Sequence, residues 1–113
     1  MFRMLFLIGP MAAASPALAE PPTIEAVEIA NGRADVTLSH PDTGWDHYAD
    51  VWRVYTPDGT MLAERVLVHP HVNEQPFTRS AGVSIPEGLR QVQIIAGCNL
   101  GDMSEPYVLE LAQ

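Results

Sequence analysis

From about residue 20 onward the chain runs in short stretches where apolar and polar residues alternate, punctuated by turn-forming residues every 8–12 positions or so. No stretch repeats its apolar residues with helical spacing. Thr23 to Ile29 reads as a first strand, and Asn31-Gly32 as a tight hairpin turn, since both residues tolerate positive φ. Arg33 to Ser39 then alternates cleanly, with Ala34, Val36 and Leu38 on one face and Arg33, Asp35, Thr37 and Ser39 on the other. Ala49 to Thr56 and Met61 to Val68 follow as strands on either side of Pro57-Asp58-Gly59. His69 to Ala81 reads as a long polar connection, Gly82 to Ile85 as a short edge strand, and Arg90 to Ala96 and Tyr107 to Leu111 as the last two strands.

Seven short strands without helices predict an all-β fold, an immunoglobulin/fibronectin-like antiparallel β-sandwich, with a small Greek-key barrel as the alternative. The expected core is Val36, Leu38, Val54, Leu62, Val66, Val92, Ile94 and Leu109, with either Val51 or Trp52. That last choice is one of register, because a one-residue slip exchanges the two faces of a strand.

The first nineteen residues follow a different pattern. Arg3 precedes an apolar run from Met4 to Ala14, Ser15-Pro16 breaks it, and Ala17-Leu18-Ala19 places small residues where a signal peptidase reads. Residues 1–19 are therefore expected to be a cleaved signal peptide, and 20–113 a single domain of a periplasmic or secreted protein. No Cys follows Ala19, so the pattern predicts a soluble product and not a lipid-anchored one.

Without residues 1–19 the chain holds 94 residues, five Arg, no Lys and fourteen acids, a formal charge near −9. A field of that sign repels phosphate backbones and anionic headgroups, which excludes nucleic acid and, after cleavage, membrane as expected partners. An unidentified protein or a small ligand remains. Cys98 stands alone, so no internal disulfide can form; it reads as a buried apolar residue, a redox thiol or a metal ligand.

Candidate chemistry collects in two loops. His69-Pro70-His71 is held extended by its proline, which sets two imidazoles side by side. With His47 or His40 as a third ligand and Glu74 or Asp42 as a carboxylate, such a set suits copper or zinc. The metal set written from sequence is His69, His71, His47 and Glu74. Capping of an open sandwich end by hydrogen-bonded rings is the competing reading of the same histidines. The stretch from His69 to Ser80 also reads as a binding loop, with Phe77 as apolar anchor and Arg79 as a fork for an anion; structurally, Arg79 would pair with Glu74 or an Asp of the 42–50 segment. Trp45 and Tyr48 either line a ligand surface in that second segment or pack inward as a corner. The two loops are expected to lie side by side at one end of the domain.

No G-x-S-x-G, no C-x-x-C and no phosphate-cradling glycine loop occurs. A sandwich of this size encloses little pocket, so the expectation is a non-catalytic interaction module without cofactor, with periplasmic copper or zinc binding as the alternative.

The stretches Thr43-Gly44-Trp45-Asp46-His47-Tyr48-Ala49-Asp50-Val51-Trp52-Arg53-Val54 and His69 to Ser80 resemble hallmark segments of small exported bacterial proteins of unassigned function. That resemblance implies export and no particular activity. It also implies a further His in the last loop, where this chain has Cys98-Asn99-Leu100-Gly101-Asp102, so a fourth ligand is missing or Cys98 takes its place. A shorter stretch, Val36 to Gly44, is similar to the opening strand and turn of the sulfur-carrier partner subunit of thiosulfate-oxidising complexes, itself an immunoglobulin-like sandwich.

Overall fold

The structure, a computed structural model, describes residues 20–112; the expected signal peptide lies outside the described residues. Seven strands follow one another: β1 (Thr23–Ala30), β2 (Arg33–Ser39), β3 (Ala49–Tyr55), β4 (Met61–Val66), β5 (Phe77–Gly82), β6 (Gln91–Cys98) and β7 (Tyr107–Glu110). They form two antiparallel sheets, β1-β2-β5 and β4-β3-β6-β7. The all-β sandwich expected from the alternation is what the chain forms.

The β1–β2 hairpin turns on Asn31 and Gly32, with φ of 54° and 75°, the left-handed pair that a two-residue turn requires. Between the sheets lie Ala34, Val36, Leu38 and Phe77 from one side and Trp52, Val54, Val92, Ile94 and Ala96 from the other. Trp52 takes the inner position and is fully buried, whereas Val51 faces outward between Val66 and Gly97. Val66 is therefore 55% exposed, which corrects its expected place in the core. It pairs with Val51 on the outer face, and Leu67 turns inward in its stead. Leu62 and Leu109 pack at the margin, half-buried.

The fifth strand is also corrected, from Gly82–Ile85 to Phe77–Gly82. β5 pairs along β2, with Phe77 opposite Leu38 and Arg79 opposite Val36. Arg79 thus occupies an inward position, while Thr78 and Ser80 bond Thr37 and Asp35 on the outer face. The polar run is a strand because its partner strand offers polar groups at matching positions.

Two pairings place the functional end. Leu38 opposite Phe77 puts the end of β2 beside the start of β5, and Ala49 opposite Cys98 puts the start of β3 beside the end of β6. The sequence between β2 and β3, the approach to β5 and the departure from β6 are bound to one another there, through Asp42 and His71 and through Tyr48 and Asn99. Among the described residues no helix is long and apolar enough to cross a membrane.

Candidate metal centre

His40 begins the loop after β2 and is almost wholly buried, 3% exposed. Its backbone N–H donates to Gln75 Oε1 at 2.9 Å. Its ring lies between two oxygens, Asp42 Oδ1 at 2.5 Å from Nδ1 and the Glu20 carbonyl at 2.8 Å from Nε2. His47 comes from a tight turn, in which its N–H donates to the Gly44 carbonyl while its own carbonyl accepts from Thr43. Gly44 takes φ 144°, outside the range of ordinary side chains, and lets that turn close. The His40 and His47 rings meet edge to face with centroids 4.6 Å apart.

Cys98 ends β6 and is a free, buried thiol. Asn99 ties it to the histidine loop: its N–H and Oδ1 bond the Tyr48 carbonyl and N–H, and its Nδ2 donates to the carbonyls of Trp45 and Asp46. The outcome is a cluster in which one ligand atom each from His40, His47 and Cys98 lies within 4.8 Å of the others.

The residues present fit a metal by two observations. His47 Nε2 is buried with no hydrogen-bond partner, one of three such side-chain nitrogens among the described residues, with Trp52 Nε1 and His71 Nδ1. A buried polar atom left alone is costly, and a bound cation would satisfy it. His40 meanwhile presents one nitrogen to a buried carboxylate, the usual arrangement of a ligating imidazole, which leaves the other nitrogen to ligate once the Glu20 carbonyl withdraws. Two imidazoles and a thiol suit zinc, copper or iron and disfavour magnesium or calcium.

The set written from sequence does not converge in this way. His47 belongs to the cluster; His69, His71 and Glu74 do not. His69 is exposed, and its Nδ1 lies 3.0 Å from the neighbouring Pro70 carbonyl. His71 is 5% exposed and stacked flat on Phe77 at 3.9 Å, with Nε2 facing Arg79 at 2.9 Å. Burial, followed by the Arg79 charge, holds the His71 pKa below its ordinary value. Glu74 reaches Arg79 at 3.4 Å with a side chain 60% exposed. The two loops do lie side by side, since the His71 N–H donates to Asp42 Oδ2 at 2.7 Å.

Arg79 makes no direct pair with Asp42, Asp46 or Asp50, and burial pushes the Asp50 carboxyl up instead of an arginine holding it down. Trp45 is 66% exposed and meets Tyr48 edge to face at 5.5 Å, so this aromatic pair does not plug the core. The sequence marks Asn99 only as a residue of the last loop beside the single cysteine, with no sign of its bonds to the histidine loop.

No protein-family model matches the chain. A relative in Halomicrobium mukohataei, named "Putative lipoprotein", is 48% identical over 65 residues, which are 55% of this chain and 32% of the relative. The chain thus spans about a third of the length of the curated relative it matches. Among solved structures, a superoxide reductase (1Fe-SOR) from Giardia intestinalis is similar, with a TM-score of 0.55 at 19% identity, over 80% of this chain and 95% of that one. The fold is shared with an enzyme. That finding overturns the expectation of a non-catalytic domain, which rested on the small pocket a short sandwich can enclose.

Proposed function

We propose that this domain holds one transition-metal ion through His40, His47 and Cys98, as part of an exported protein. The observation that carries the reading is the convergence of one ligand atom from each of three residues within 4.8 Å, in a cluster whose His47 also holds a buried, unpartnered Nε2. The name of the Halomicrobium relative supports export, and periplasmic placement of a cleaved domain is the finer form of the same proposal.

A metal bound here would supply an open coordination position, as three-ligand sites do. The chain's own residues prepare it. Asp42 orients His40, Asn99 fixes the spacing of His47 from Cys98, and Asp102 Oδ2 lies 4.0 Å from the Cys98 sulfur. Iron joins zinc and copper as a candidate through the superoxide reductase likeness, and superoxide is the small-molecule substrate that likeness brings to the reading.

Titration of the purified protein with Zn(II), Cu(II) and, without oxygen, Fe(II) tests the site. One ion per chain is expected, lost in Cys98→Ser and in His47→Ala and kept in His69→Ala. Retention in the first two variants, or loss in the third, overturns the assignment. Consumption of superoxide by the iron-loaded protein separates a redox site from a purely structural one.

A further inference from the structure

We infer that His71 and Arg79 are positioning residues for this centre: acting through the Asp42 carboxylate, they fix the His40 ring so that Nδ1 keeps its proton and Nε2 is the nitrogen offered to a metal. The inference rests on the metal reading, and it assigns a second histidine to the site as something other than a ligand.

The path runs through the hydrogen bonds of Asp42 and one close, unbonded approach of the His71 ring to it. The Asp42 side chain has no exposure. Its Oδ1 accepts from His40 Nδ1 at 2.5 Å and from the Ala49 N–H at 3.0 Å. Its Oδ2 accepts from the His71 N–H at 2.7 Å and faces His71 Nδ1 at 4.0 Å. A buried carboxylate survives only when it is hydrogen-bonded and its charge is met.

Besides the His40 ring in direct contact with Asp42, a cation lies one ring away, at Arg79. Arginine only donates, so Arg79 NH2, 2.9 Å from His71 Nε2, makes that nitrogen an acceptor. A neutral His71 then carries its proton on Nδ1, the edge turned to Asp42. Burial and the Arg79 charge keep the ring neutral at neutral pH.

The remaining neighbours hold this alignment. Phe77 stacks on the His71 ring with planes 10° apart, and the Arg79 guanidinium lies 5.5 Å from the centre of the Phe77 ring. Gln75 bonds the His71 carbonyl with its Nε2 and the His40 N–H with its Oε1, which locks the two histidine loops to each other. Glu74 touches Arg79 from the solvent side, and the His69 ring lies 4.6 Å from that of His71. Arg79 thus acts on Asp42 through an oriented imidazole, and Asp42 acts on His40. Such outer partners commonly change metal affinity by about 10–100-fold.

The test uses two probes. Long-range 1H–15N NMR of the metal-free and Zn(II)-loaded protein reads which ring nitrogens carry protons, and Co(II) titration followed by absorbance reads affinity and the thiolate-to-cobalt band. The wild-type protein should show His71 protonated on Nδ1, and His40 should keep its Nδ1 proton toward Asp42 when Zn(II) displaces the Glu20 carbonyl, and the proton shared with it, from Nε2. Arg79→Leu should leave His71 as a mixture of tautomers and weaken Co(II) binding about 10-fold. Arg79→Gln, which retains an N–H donor, should restore both. A merely structural Arg79 would move the melting point while leaving tautomer and affinity in place. That result, or a wild-type His71 protonated on Nε2, overturns the inference. Failure of the wild-type protein to bind Co(II) while the His71 tautomer is as stated overturns the metal reading and leaves the alignment of Arg79, His71 and Asp42 standing.

Discussion

The pair His40 and His47 and the pair His69 and His71 both bring two imidazoles to a centroid separation of 4.6 Å, and they share Asp42 between them. What surrounds the rings separates the two pairs. His47 keeps a buried nitrogen that no group among the described residues satisfies, and Cys98 stands within reach of both residues of its pair. In the other pair His69 lies in solvent, and the buried His71 ring, with Nε2 on Arg79 and its unbonded Nδ1 turned to Asp42 at 4.0 Å, has no thiol or second ligand converging on it among the described residues. Two histidines in contact do not make a site; a site needs donor atoms that the protein itself leaves unsatisfied, facing a common point.

The sharpest way to break this contrast is to delete a ligand from each pair. His47→Ala or Cys98→Ser should lower metal affinity by more than about 100-fold, beyond the usual cost of an outer-partner change, whereas His69→Ala should stay within about twofold. Calorimetric titration decides it, and equal losses on both sides would end the distinction.

Asp42→Ala comes next, because it removes the group both pairs depend on. The buried His40 ring loses its acceptor, and the Ala49 and His71 N–H groups lose theirs, so the metal-free protein should unfold about 3–5 kcal/mol more easily. Urea denaturation measures this, and a loss under about 1 kcal/mol would show that the two pairs are not joined through Asp42.

His71 makes a smaller, pH-dependent contribution. Its folded pKa lies below the ordinary 6.5, so the unfolded chain binds more protons in the window just under that value. The associated stability is fully present above about pH 6.5 and is lost as pH falls toward the folded pKa. The urea midpoint of the wild-type protein should therefore drop more between pH 7.5 and 5.5 than that of His71→Gln, and parallel curves would remove His71 as the cause. Smallest of all is Glu74→Ala, which removes an exposed contact with Arg79 and should cost at most about 1 kcal/mol in the same assay.

The sandwich was largely legible because most strands alternate and their turns carry the residues that turns demand, as Arg33–Ser39 and Asn31-Gly32 illustrate. β5 was not, because an arginine fills one of its inward positions and a proline precedes it, which together read as a loop. Val66 was misplaced because a valine on an outer sheet face leaves the same mark in the sequence as one in the core. At the candidate site each residue type was visible and the partnership was not. His-Pro-His announces itself by proximity along the chain, whereas His40, His47 and Cys98 meet through the pairing of Ala49 with Cys98, a contact spanning half the domain that local pattern does not encode.

Asn99 carries a consequence for how quickly a metal could come and go. Its side chain and N–H grip main-chain groups of Trp45, Asp46 and Tyr48, so the distance between the thiol and the His47 loop is set by backbone and not by rotamer choice. The ordering entropy of the cage is then met when the chain folds and not when an ion arrives. A cage with the thiol and the His47 loop spaced in advance has only the His40 ring to free from the Glu20 carbonyl, and it resists any ion whose preferred geometry would pull the two segments apart. Selectivity at this centre is thereby written in an amide that touches no metal.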